Sequence, residues 1–184
     1  MTLLRNKKNK GFSLLELLLV LGIIAALVVG AFIVYPKVQA SQRAEAESKN
    51  LATIQAGVKS LYTSASSFSG LTNTVAVGAK IFPDNMLVGT GTSASVVNTF
   101  KGNVTVVSAN TGPSSATGSS FTITYNNVPA AECTKIVSAV AGNFYIAAVG
   151  STTVKAAGSS LNVASTSTAC NSGGNSNTLV FTSI

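Results

Sequence analysis

From Leu17 to Val34 the chain carries 18 consecutive uncharged, predominantly apolar residues. At about 1.5 Å per residue, a helix of that length reaches roughly 27 Å, close to the hydrocarbon thickness of a bilayer. The run therefore predicts a membrane-spanning helix. Between Lys37 and Tyr62 the composition turns polar, yet Ala44, Leu51, Ile54, Val58, Leu61 and Tyr62 keep an apolar stripe at helical spacing, with Gly57 the one interruption. One long helix from Phe12 to about Tyr62 is expected, roughly 75 Å if straight. Its first half faces lipid or a bundle, and its second half lays one face on a globular domain. The alternative is a break at Pro36, which lacks a backbone donor and can kink or unwind a helix. Gly22, Gly30, Ala25 and Ala26 supply small surfaces for close helix approach, or are simply common membrane-helix residues.

Residues 63–184 alternate differently. Phe121, Ile123 and Tyr125 interleave with Thr122 and Thr124, the pattern of a half-buried strand, and Val104–Ser108 is a second strand. Thr111–Ser120 is the turn between them, and Ile81–Leu87 a short helix or turn within a loop-rich connection from Ser64 to Gly102. Pro129 opens a helix with Cys133, Ile136, Val137 and Val140 along one face. Phe144–Val149 and Thr152–Ala156 suggest a hairpin around Gly150-Ser151. A polar loop from Gly158 to Asn177 then precedes a last strand, Leu179–Thr182. Serine and threonine are abundant, but β-branched and aromatic residues recur, so this is a folded domain with one core. The fold class is α+β: a long helix on an antiparallel sheet.

Charge refines the N-terminus. Arg5, Lys7, Lys8 and Lys10 precede the apolar run with no acidic residue among them, which keeps this end cytoplasmic. A cleaved secretory signal fits poorly, because the apolar region is too long and no A-x-A site follows. A plain signal anchor fits everything except Glu16. A carboxylate costs on the order of 2.5–3.5 kcal/mol near the centre of an apolar helix, less near the interface, and usually has a partner.

Gly11-Phe12-Ser13-Leu14-Leu15-Glu16, after a short basic leader and before an apolar helix, resembles the processing site of type IV pilins and pseudopilins. The resemblance implies that residues 1–11 form a leader removed by a prepilin peptidase, with cleavage between Gly11 and Phe12 and N-methylation of Phe12. It makes Glu16 the fifth residue of the mature chain, paired with the Phe12 amine of a neighbouring subunit as helices bundle. Such a pair stabilises little against its own desolvation, whereas an unpaired buried charge costs several kcal/mol, so the pair acts as a register device. The implied organisation is a hydrophobic transmembrane and assembly helix over 12–36, an amphipathic continuation over 37–62 and a globular pilin head over 63–184. The implied fold is the type IV pilin fold.

Cys133 and Cys170 are the chain's two cysteines. In an exported protein they are expected to form one disulfide, closing a loop worth about 4 kcal/mol on the chain-entropy model; two buried thiols are the alternative. Such a bridge resembles the disulfide-bounded C-terminal region of type IV pilins. The late helix around Cys133, the aromatic strand after it and the second cysteine near the end resemble type IVb major pilins. The short leader and Phe12 look more type IVa.

Composition excludes other classes. Histidine is absent, and the five carboxylates, Glu16, Glu45, Glu47, Asp84 and Glu132, form no cluster for catalysis or metal binding. No enzyme, cofactor or metal is expected. The formal charge of +7 falls to about +3 once the leader's four basic residues are removed, and no basic run interleaved with aromatics remains. DNA binding is therefore weakly supported. The expected protein is a homopolymer subunit, held in the bacterial inner membrane until assembly machinery adds it to an extracellular filament. Adhesion to a host or recipient cell, motility, conjugation and DNA transfer are its candidate uses. A pseudopilin or minor pilin of a secretion system shares every N-terminal feature. A monomeric membrane-anchored binding domain is the alternative from another class.

Overall fold

The computed structural model describes residues 12–184; residues 1–11, expected from sequence to be a leader, lie outside them. Helix α1 spans Leu14–Leu61 and passes through Pro36 without leaving helical geometry. The chain divides into two compact units, Met1–Gln39 and Ala40–Ile184, so the boundary falls inside α1.

In the first unit, every described side chain from Phe12 to Val38 is exposed, including Leu14, Leu18, Ile24, Leu27 and Phe32. Among the described residues, α1 is the one helix long and apolar enough to cross a membrane. The turn is started by the Ser13 carbonyl, which accepts from the backbone N–H groups of Glu16 (3.0 Å) and Leu17 (3.1 Å).

The second unit is built on the remainder of α1. Ala44, Glu47, Leu51, Ile54 and Val58, alternately three and four apart, are buried along one face. Leu61, the last residue of α1, departs from the predicted stripe: it is 44 % exposed, while Tyr62 after it packs against the core. A short helix α2 (Asn73–Gly78) and a two-residue hairpin, β1 (Leu87–Val88) with β2 (Ser95–Val96), structure the connection that reads as loop in the sequence. Then come β3 (Val104–Ala109), β4 (Ser120–Val128), α3 (Ala130–Val140), β5 (Ile146–Val149), β6 (Thr152–Lys155), α4 (Val163–Ser172) and β7 (Asn177–Ser183).

The five longer strands form one antiparallel sheet in the order β3-β4-β7-β5-β6. The last strand thus lies at the centre, pairing Ile123 with Phe181 on one side and Ala147 with Phe181 on the other. Phe121, Ile123, Tyr125, Leu179 and Phe181 join the buried α1 residues and Cys133, Ile136 and Val137 of α3 in one core. The outer edge of β3 is closed by Asn73, whose Nδ2 donates to the Val104 carbonyl (2.9 Å) and whose Oδ1 accepts from the Val106 N–H (2.6 Å). A side chain there occupies the hydrogen-bonding groups that another strand would use.

Gly57 lets α2's trailing loop approach α1. A Cβ added there would stand 2.8 Å from Ile81 Cγ2, on a buried side chain branched close to the backbone. In an exposed helix Gly→Ala stabilises by about 1 kcal/mol, but overpacking of this kind costs about 1–3 kcal/mol. Gly57→Ala is therefore expected to lower the melting temperature of the micelle-solubilised chain. A raised melting temperature would mean that Ile81 yields.

Candidate functional site

Three features carry the chemistry of this chain: the start of α1, a buried carboxylate further along it, and the disulfide. At the start, Phe12 is 82 % exposed. Glu16, one helical turn on, is also exposed and makes no ion pair among the described residues. Gly11, the expected residue before the scissile bond, lies outside the described residues. What is displayed is an uncovered apolar helix bearing one carboxylate near its head.

The buried carboxylate is Glu47, which the apolar stripe skips although the spacing from Ala44 to Leu51 passes through it. It has no exposed surface. Its Oε1 accepts from the Thr99 N–H (2.7 Å) and the Thr99 hydroxyl, and its Oε2 accepts from Asn50 Nδ2 at 3.2 Å. The turn it holds is reinforced by Asn98, whose Oδ1 accepts from Phe100 N and Gly102 N, both at 2.9 Å. Gly102 has no room for a side chain, since a Cβ would sit 1.8 Å from the Asn126 carbonyl oxygen. Glu47 therefore ties α1 to the turn at 98–102 by charge-assisted bonds, each worth about 1.5–3 kcal/mol. Glu47→Ala, which also orphans the Thr99 N–H, is expected to cost about 3 kcal/mol in denaturant unfolding. Glu47→Gln, keeping one acceptor, should cost less. Equal losses would show that charge rather than acceptor geometry holds the turn.

Burial, with the nearby Glu47 carboxylate, pushes the Tyr125 phenol well above its usual range. Below about pH 10 the phenol is neutral in both folded and unfolded chains; above it the unfolded chain ionises first, so stability falls by up to about 1.4 kcal/mol per pH unit. Tyr125→Phe is expected to flatten this alkaline limb in melting temperatures recorded between about pH 8 and 12.

Cys133 and Cys170 are bonded to each other, with Cα atoms 5.8 Å apart. The bridge joins α3 to α4. Here the sequence reading needs correction: Cys170 lies on a helix, not in the polar loop expected over Gly158–Asn177. The helix starts at Asn162, whose Oδ1 accepts from Ser165 N (2.9 Å), and Thr166 bonds back to the Asn162 carbonyl (2.7 Å). Local caps and the disulfide thus form a helix that has no apolar periodicity. Among the described residues no group of His, Cys, Asp and Glu could hold a metal.

Comparison with known proteins assigns this arrangement. The PilS N-terminal family model matches residues 41–184, and the prokaryotic N-terminal methylation motif matches residues 6–32. The chain belongs to the type IV pilin family. The pilin is 27 % identical over 108 residues to the major structural subunit of the bundle-forming pilus from Escherichia coli O127:H6, and to its counterpart from Escherichia coli O111:H-. The match covers 59 % of the pilin and 55 % of each relative, so it spans about half their length. In fold the pilin is similar to the type IVb pilin from Salmonella typhi, with a TM-score of 0.58 at 20 % identity, covering 74 % of this chain and 97 % of that one. It is also similar to TcpA, a type IV pilin from Vibrio cholerae El Tor, with a TM-score of 0.52 at 17 % identity, covering 79 % and 99 %. The long helix, antiparallel sheet and C-terminal disulfide expected from sequence are thus the pilin fold.

Proposed function

We propose that this pilin is the major subunit of a type IV pilus. It is made with residues 1–11 as a leader, cut by a prepilin peptidase between Gly11 and Phe12, and N-methylated on Phe12. The leader, 12–36 assembly helix, 37–62 amphipathic continuation and 63–184 head are the working parts of this scheme. Before cleavage the four basic leader residues hold the helix in the inner membrane, since moving them through it is prohibitive. After cleavage a single amine stands beside the apolar run. Assembly machinery can then transfer the helix from lipid to a bundle of identical helices without exposing it to water.

The observation that carries this reading is the apolar helix whose side chains stand exposed among the described residues, headed by Phe12 and Glu16 within a matched methylation motif. No catalytic role is assigned to the head. Adhesion to a host or recipient cell, motility, conjugation and DNA transfer are all uses open to such a filament.

Intact mass spectrometry of protein sheared from whole cells tests the proposal. The expected species starts at Phe12, is heavier by one methyl group, lighter by the two hydrogens of the disulfide, and abundant. A processed chain found only in the membrane would make this a pseudopilin or minor pilin. An uncut chain, in cells with an active peptidase, would make it a membrane-anchored monomer.

A further inference from the structure

The sheet has two edges, and the chain closes them differently. The β6 edge is four residues long, its register with β5 shifts between Ala147 and Ala148, and its Val154 carbonyl is taken by the Asn162 N–H at 2.9 Å. The β3 edge has none of these defences in its own sequence. Val104–Ala109 (Val-Thr-Val-Val-Ser-Ala) pairs with β4 over all six residues without a register shift, and it holds no charge, proline or glycine. Such a strand is a template for another of its kind. What stands on it is the segment that leads into α2. Asn73 Nδ2 donates to the Val104 carbonyl (2.9 Å), Asn73 Oδ1 accepts from the Val106 N–H (2.6 Å), and the Leu71 carbonyl accepts from the Ser108 N–H (3.2 Å). A carboxamide that bridges the groups on either side of Thr105 does what one residue of a parallel strand would do. The segment is seated by Leu71, Ala76 and Val77, all buried, and Thr72 caps α2 by accepting from the Val75 N–H (3.3 Å).

We propose that Asn73 is a lock on the β3 edge, and that the partner it excludes is β3 of a second copy. Pairing of two β3 strands about a two-fold axis at Val106 would set Val104 opposite Ser108 and Thr105 opposite Val107, all uncharged. Without the carboxamide, the Val104 carbonyl and the Val106 N–H are left to water or to such a strand. Surroundings that concentrate copies, a membrane or a filament, strengthen an edge contact by raising its effective concentration. The lock keeps the heads from joining through their sheets and leaves association to other surfaces. It acts on the single chain, so the inference stands apart from the filament reading.

The test compares the full chain with Asn73→Ala and Asn73→Asp in an excess of micelles, by sedimentation and hydrogen exchange. The wild-type chain is expected to stay monomeric, with its Val106 amide protected equally at low and high concentration. In dilute Asn73→Ala the Val106 amide should exchange about tenfold faster or more, and regain protection as dimers form on concentration. Asn73→Asp keeps an acceptor for the Val106 N–H but sets a carboxylate on the edge, and should stay monomeric. Adding Val107→Lys to Asn73→Ala, at an exposed position across from Thr105 of the paired copy, should abolish the dimers, or restore solubility if the single variant precipitates. The proposal is overturned by an Asn73→Ala chain that remains monomeric at every concentration, and by association that Val107→Lys does not reverse. An Asn73→Asp chain that associates as readily as Asn73→Ala also overturns it, because loosening of α2 rather than an open edge would then join the copies.

Discussion

Glu16→Ala is expected to leave cleavage after Gly11 and methylation of Phe12 intact while sheared filament falls at least tenfold. Deleting the carboxylate makes the single helix more comfortable in lipid, where an ionised group costs a few kcal/mol. In the proposed scheme the peptidase acts at the leader boundary, between Gly11 and Phe12, and does not call on Glu16. The loss comes on bundling. In the proposed assembly, each incoming Phe12 amine keeps its charge after N-methylation and, without Glu16 of a neighbour, would be buried unpaired. Removing one member of a buried ion pair costs about 3–5 kcal/mol, which corresponds to two or more powers of ten in the equilibrium for adding a subunit. Glu16→Gln keeps an acceptor but no charge and should fall between. The measurement is the ratio of sheared to membrane-retained processed pilin, by intact mass and quantitative blot. Normal filament yield from Glu16→Ala would remove the register role, and accumulation of uncut chain would move Glu16 to the processing step.

Local patterning carried the parts of the fold that depend on local physics. The apolar run and the stripe from Ala44 to Val58 foretell α1 because a helix repeats its face every three or four residues. The alternation around Ile123 foretells β4 for the corresponding reason in strands, and Pro129 marks the start of α3. Two things escape local reading. The central position of β7 depends on pairings with Ile123 and Ala147, which lie 58 and 34 residues away from Phe181 in the chain, and alternation within β7 says nothing about them. Helix α4 is the other, because Val163–Ser172 is mostly serine, threonine and alanine, with hydroxyl and amide side chains satisfying its backbone. Glu47 was visible as a spacing: it is the polar residue at the position where the stripe demands an apolar one. That Thr99 answers it across 52 residues could not be read from either segment alone.

Cys170→Ser is expected to melt α4 before it unfolds the head. The bridge joins residues 37 apart in sequence, and opening such a loop is worth about 4 kcal/mol on the chain-entropy model. The cost is concentrated in α4. Helices shorter than about 12–15 residues are marginal by themselves, and this one has 10 residues, of which only Thr166 and Cys170 are buried. Once the sulfur link is gone, the helix keeps the Asn162 cap and its packing against α3, β5 and β6, with Thr166 and Cys170 alone buried, too little to offset the chain entropy of ordering it. The sheet has a separate basis, since Phe121, Ile123, Leu179 and Phe181 are buried without reference to the bridge. Hydrogen exchange on the full-length chain should therefore show Val163–Ser172 amides losing protection in Cys170→Ser, or after reduction, while β4 and β7 amides remain slow. A Cys133→Ala/Cys170→Ala chain should behave alike, separating the lost link from a stranded thiol. Equal loss across sheet and helix would mean that α4 is a cooperative part of the core. Undiminished protection of α4 would mean that its caps suffice, and that the helix survives in a reducing environment.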